Sequence, residues 1–263
     1  MGQLPLPPDA VTVPKLLKSR GYVTGLIGKW GLGGPGSSGA PNNQGFDYSF
    51  GYLCQRHAHN YYPEFLFRND ERVPLANKVA GDRTDGAGVA TEKVQYSHDL
   101  FAEEALQFIE QNRQLPFFLY LAHNLPHVPL FCSDEFRGTS LRGLYGDVVE
   151  EIDAGVGRIL DTLKKHNLAE NTLVVFTSDN GPWLTFNDHG GSAGLLREGK
   201  GCTYEGGMRE PTICWWPGRI RSGVVRDMGA TMDLYTTILK LAGAEAPSDR
   251  VVDGLDLAPA LFG

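Results

Sequence analysis

Basic residues are in the minority here: 24 Lys and Arg stand against 31 Asp and Glu among 263 residues, a formal net charge of −7. A chain of that sign repels a phosphate backbone, so nucleic acid is excluded as an expected partner. Long apolar runs are lacking too. The longest, Phe117 to Ala122, is far short of the ~20 residues a membrane-spanning helix needs. The opening Met1-Gly2-Gln3-Leu4-Pro5-Leu6-Pro7-Pro8 has no basic n-region and no apolar h-region, and Leu6 stands where a myristoylation motif needs Ser or Thr. The expectation is a soluble chain without an export signal of its own, its compartment left open. Cysteine is scarce: Cys54, Cys132, Cys202 and Cys214 are widely spaced with no C-x-x-C. That excludes a zinc ribbon or a thioredoxin motif and points to buried free thiols.

Glycine is in excess, 33 of 263 residues, where ~7% is usual. Without a collagen period, this calls for many positions of positive φ or close backbone approach. A chain of this length buries roughly 70 to 75% of its unfolded surface and needs no disulfide or structural metal to hold a core.

Thr12 is placed to cap a short helix carrying Val13, Leu16 and Leu17 that Gly21 stops, and Tyr22 to Gly28 reads as a buried strand. Residues 31–45 hold six glycines and two prolines, which predicts a long irregular loop, and long ordered loops are usually functional. Phe101, Ala105, Phe108 and Ile109 keep a helical period. So do Leu144, Val148, Ile152, Val156, Ile159 and Leu163. Phe117 to Ala122 and Thr172 to Thr177 are continuous apolar runs, the pattern of central parallel strands covered on both faces. Thr212 to Trp216 is a further strand, and Leu234, Ile238 and Leu241 mark a helix stopped by Gly243. The alternation predicts a layered α/β fold with a mainly parallel central sheet.

In open α/β sheets ligands sit beyond the carboxyl ends of the strands. There the chain places Lys29 with the glycine loop, His123 and His127 in His123-Asn124-Leu125-Pro126-His127, and Ser178-Asp179-Asn180-Gly181; a fourth segment puts Lys200 between glycines. Each piece alone has an ordinary reading: Asp-Asn-Gly as a turn, the lysines as solvated surface, the histidines as loop anchors, and Asp188-His189 before two glycines as a turn. Gathered on one rim they describe an anion site beside a hard cation, suited to a phosphate or sulfate ester.

Together these residues resemble the sulfatase family, and its arylsulfatase branch most. Thr177-Ser178-Asp179-Asn180-Gly181-Pro182, followed by Gly194 to Pro211 with Lys200-Gly201-Cys202-Thr203-Tyr204-Glu205-Gly206-Gly207-Met208-Arg209, is similar to the family's second signature, and Gly25-Leu26-Ile27-Gly28-Lys29-Trp30 to its lysine motif. The resemblance covers nearly the whole chain. It implies an alkaline-phosphatase-like fold, hydrolysis of a small-molecule or glycan sulfate ester, and one Ca²⁺, or Mg²⁺ in some members. It assigns Asp179 and Asn180 to the metal, Lys29 and Lys200 to the sulfate, and His127 to protonation of the leaving alcohol; Gln55 lies at a polar sulfate contact.

Two features of that family are missing. Sulfatases use a formylglycine made within a C/S-x-P/A-x-R motif, which no cysteine or serine here satisfies. The paired aspartates that complete the metal site are also absent, because no Asp-Asp occurs. Both lie upstream of this segment in the family, as a C-terminal subdomain lies downstream. In addition, Gly31 stands where many members have a histidine that helps expel sulfate, which makes His57 and His59 candidate substitutes. The expectation is a partial sulfatase domain over residues 1–263, the middle of the family's catalytic domain, inactive alone, with a sheet that lacks a strand and so aggregates. Its oligomeric state is not legible. Two rivals are a non-catalytic module that binds sulfate or sulfated glycans and, less favoured, a two-zinc phosphoesterase, which would want more His and Asp ligands.

Overall fold

A computed structural model describes residues 4–81 and 86–263. Its helices are α1 (Val13–Lys18), α2 (Ser97–Asn112), α3 (Gly143–Lys165), α4 (Glu205–Met208), α5 (Thr231–Leu241) and α6 (Ala258–Phe262). Its strands are β1 (Val23–Lys29), β2 (Tyr48–Tyr52), β3 (Phe65–Arg68), β4 (Glu71–Pro74), β5 (Lys78–Val79), β6 (Ala90–Glu92), β7 (Phe117–Ala122), β8 (Val174–Thr177) and β9 (Thr212–Trp215). The chain divides into two compact units, Met1–Asn124 with Arg221–Gly263, and Leu125–Ile220.

The first unit is built on a mixed sheet in the order β4-β3-β2-β1-β7. β1 runs parallel to both β2 and β7, while β3 and β4 add antiparallel strands at one side. Successive strand residues point to opposite faces, and β7 shows what covers each. Phe117 meets Phe108 of α2 edge to face, with ring centroids 6.1 Å apart. Phe118 joins the cluster of Leu17, Leu239 and Ala244 beneath α1 and α5. Helices therefore sandwich the sheet. On the α2 side Phe101, Ala105, Phe108 and Ile109 are all buried, as their period predicts. The helix can seat this closely because Gly25 lies under Phe108, where a Cβ would come within 2.6 Å of the ring.

Several sequence expectations need correction. The Phe117–Ala122 run is the last strand of its sheet rather than a central one, and Tyr120 is 47% exposed. Its continuous apolar pattern reports helices on two faces, not strands on two edges. The Thr172–Thr177 run is not parallel at all: β8 pairs antiparallel with β9 in a two-stranded ladder of the second unit, leaving Phe176 and Ile213 exposed. Thr12 precedes α1, but its hydroxyl donates to the carbonyl of Gln44 instead of capping the helix. Within the 31–45 loop, Pro41–Gln44 forms a 3-10 turn. All four thiols are free, but only Cys132 is buried, and burial pushes its pKa up.

In the second unit α3 carries the predicted stripe, with Val148, Ile152 and Leu163 buried. The Trp216 indole donates to the Glu170 carbonyl at 2.8 Å, tying the residue after β9 to the turn before β8.

Candidate active site

Lys29 is the last residue of β1, level with Tyr52 of β2. The glycine loop that follows is ordered by side chains. The Trp30 indole donates to the Gly39 carbonyl at 2.8 Å, and the Gln44 amide donates to the carbonyls of Ser38 and Pro7. Gly31 adopts φ +92°, and a Cβ there would come within 2.3 Å of the Gln55 amide nitrogen. That nitrogen donates to the Trp30 carbonyl at 3.2 Å. Gln55 thus occupies the space a residue-31 side chain would enter. Gly31→His is accordingly expected to destabilise the chain by about 2 kcal/mol or more in urea unfolding, and an unchanged midpoint would show that the loop yields. His57 does not fit the substitute role: it is 1% exposed and packed against Phe65 and Tyr52, with ring centroids 4.5 and 4.9 Å away. It is a packing residue. His59 beside it is half-buried in the same short turn.

His123, just past β7, faces inward. Its Nδ1 is enclosed without a hydrogen-bond partner, and its ring lies 5.2 Å from that of His98. Burial, and then the neighbouring His98, lower its pKa to about 3, because both disfavour an imidazolium. Asn60, Ser97 and Asn124 are buried in the same unit.

The second unit gathers His127, Asp179, Asn180 and Lys200; Lys29 belongs to the first. His127 is half-buried, with Nδ1 2.7 Å from the Val128 carbonyl. A neutral ring holding its proton on Nδ1 for that carbonyl keeps the Nε2 lone pair, and protonation then makes Nε2–H a donor. The Asp179-Asn180 turn and the Lys200 segment are laced backbone to backbone. The amide of Lys200 donates to the Pro182 carbonyl at 2.8 Å, and that of Gly181 to the Gly207 carbonyl at 3.2 Å. A Cβ on Gly181 would lie 1.9 Å from the Gly206 carbonyl oxygen, and one on Gly206 2.0 Å from that of Glu198. Only glycine permits this approach, and the local glycine excess is spent on it.

Sequence reasoning missed Trp183. Its ring lies 5.6 Å from His127, inclined at 64°, and the Lys200 ammonium sits 5.0 Å from its centroid. Phe186 meets it at 4.7 Å. Trp183 follows the signature by one residue, but nothing in its spacing marks it, since its partners lie 56 and 17 positions away. At Glu210, burial, and then the Asp179 carboxylate, raise the pKa. Asp188 and His189 are exposed in the 3-10 segment Leu184–His189, and among the described residues no group of three or more His, Cys, Asp or Glu is set to hold a metal ion.

No helix among the described residues is long and apolar enough to cross a membrane. The Sulfatase family profile matches residues 4–244. The dog N-acetylgalactosamine-6-sulfatase is 44% identical over 98% of this chain and 50% of its own length. Human arylsulfatase A is 38% identical over 98% of this chain and 52% of its own length. The chain thus spans about half the length of the curated relatives it matches. The crystal structure of Ps i-CgsB in complex with k-i-k-neocarrahexaose superposes with a TM-score of 0.83 at 32% identity, covering 99% of this chain and 59% of that one. The Silicibacter pomeroyi phosphonate monoester hydrolase SpPMH shares the fold, at a TM-score of 0.66 and 18% identity over 98% of this chain and 62% of its own. The architecture is the alkaline-phosphatase-like fold, and the chain belongs to the sulfatase family.

Proposed function

We propose that this chain carries the sulfate-holding and proton-donating part of a sulfatase site whose substrate is a sulfated sugar. The observation that supports it most is the meeting of His127 and Lys200 at the Trp183 ring, which puts a proton donor and an ammonium group in one place. Lys200 opposes charge on the sulfate oxygens. His127, protonated at Nε2, is the group that would deliver a proton to the ester oxygen when a nucleophile supplied from outside this chain bonds to sulfur and the S–O bond breaks, so that the sugar leaves as a neutral alcohol. The names of the relatives, an N-acetylgalactosamine-6-sulfatase and a complex with k-i-k-neocarrahexaose, support the sugar.

Asp179 and Asn180 are proposed as oxygen donors to Ca²⁺ or Mg²⁺. Two donors fall well short of the six to eight that Ca²⁺ takes, and with no wider ligand cluster among the described residues the set does not fit a cation by itself. Calorimetry with Ca²⁺ is expected to show weak binding, and tight uptake would overturn that expectation.

The nucleophile is the missing part, because no formylglycine motif occurs in the sequence. The purified chain is therefore expected not to turn over 4-nitrophenyl sulfate, and any enzyme-dependent turnover would refute this. It is expected to bind inorganic sulfate and to lose about tenfold in affinity in Lys200→Ala; unchanged affinity would remove the lysine from the site. The absent motif also favours the second reading, non-catalytic retention of sulfated glycans, which the same binding experiment with no turnover would support.

A further inference from the structure

Trp183 meets His127 and Lys200, two of the four residues to which the second unit's chemistry is assigned, and it does so from an exposed position. It is 37% exposed, and Leu184 and Phe186 beside it are each 43% exposed. An indole that only filled a core would be covered more fully than this. Its backbone is nonetheless fixed: its amide donates to the Gly190 carbonyl at 2.9 Å, and the preceding Pro182 carbonyl accepts from Lys200 at 2.8 Å. Gly199 packs against that same carbonyl, where a Cβ would lie 2.4 Å from the oxygen. The backbone that carries the ring is therefore tied directly to that of Lys200. An ammonium within ~6 Å of an indole centroid is drawn to the negative ring face, and Lys200 lies at 5.0 Å. His127 meets the same ring, and Phe186 meets it from within the 3-10 segment.

We infer that Trp183 is a positioning residue of the site: it holds the Lys200 ammonium over its face and sets the His127 ring beside it, so that anion binding and proton donation converge on one ester. The inference rests on the proposed roles of Lys200 and His127. It requires the ring's charge distribution, not merely its bulk. A lysine stem has four rotatable bonds, and ordering it before the ligand arrives lowers the entropy lost on binding.

The test measures inorganic sulfate affinity of the full chain by calorimetry in Trp183→Phe, Trp183→Leu and Lys200→Met. Trp183→Leu is expected to weaken sulfate binding about fivefold, Trp183→Phe to restore it to within about twofold, and the Trp183→Leu loss to vanish in a Lys200→Met background. Equal losses in Phe and Leu, or a Trp183→Leu loss that persists without Lys200, would reduce Trp183 to a structural filler and overturn the inference. If Lys200→Met itself leaves sulfate affinity unchanged, the reading of the site fails instead; if Lys200→Met weakens binding and Trp183→Leu does not, only the positioning role fails. Should Trp183→Leu fail to fold, fluorinated tryptophan keeps the question open to refutation, because it withdraws charge from the ring face with little change of shape. Affinity is then expected to fall with fluorination in the wild-type chain and to stay level in Trp183→Phe; a level response in both would overturn the proposal.

Discussion

Gly28→Ala is expected to cost about 3 kcal/mol or more in urea unfolding. Gly28 lies where three strands are drawn together, in register with Gly51 of β2 and Ala122 of β7. Its φ is +108°, and an added Cβ would stand 2.0 Å from the Ala122 carbonyl oxygen. The colliding atom is backbone, so no side chain can swing aside. The partner position is just as tight, since a Cβ on Gly51 would come within 2.0 Å of the Gly28 carbonyl oxygen. Relief requires β1 to move off β7, and the strand end that carries Lys29 moves with it. Gly21→Ala is the control: its φ is +76° with nothing within 4 Å, so it carries only the conformational penalty, ~1 kcal/mol. Equal effects at the two sites would show that the collision is relieved at no cost.

Acidification is expected to remove about 2.5 kcal/mol of stability between pH 7 and pH 4.5 through His123 alone. Its folded pKa, lowered to about 3, lies below the ~6.5 of an unfolded histidine. Between those values the unfolded chain takes up a proton that the folded chain refuses, so the contribution is fully present above about 6.5 and fades as pH falls toward 3. His98 reinforces the effect, because its ring 5.2 Å away cannot share the space with a second positive charge. His123→Gln is expected to flatten the profile over this window while leaving its neutral-pH end to ordinary packing losses. Parallel profiles for the two proteins, followed by urea midpoint at each pH, would show that the proton finds room beside His98.

Periodicity carried α2, α3 and α5 because their apolar stripes reflect burial on one side only, a property local sequence records directly. The position of β7 in its sheet was not recorded, since Phe117 and Phe118 look alike whether a strand has one neighbour or two. β8 failed for a related reason: a short apolar strand reads the same in a parallel sheet as in an antiparallel ladder with β9. Among the proposed site residues, Lys29, His127, Asp179, Asn180 and Lys200 were visible because they stand in dense motifs with unusual chemistry. Trp183 was not. Its ring meets His127 and Lys200 only in space, and the Gly31–Gln55 exclusion is likewise a matter of two chain segments meeting.

The cluster beneath α1 carries a consequence for synthesis. Leu17 is sealed by Leu239 and Ala244, and the Tyr235 hydroxyl reaches the Val11 carbonyl across 224 positions of sequence. On a ribosome adding roughly 5 to 20 residues each second, the apolar side of α1 waits on the order of ten seconds or more for α5 to emerge, while the whole of Leu125–Ile220 is made in between. A nascent chain arrested before Thr231 therefore displays Leu16 and Leu17 to its surroundings, and chaperone capture of this chain is expected to concentrate on that interval.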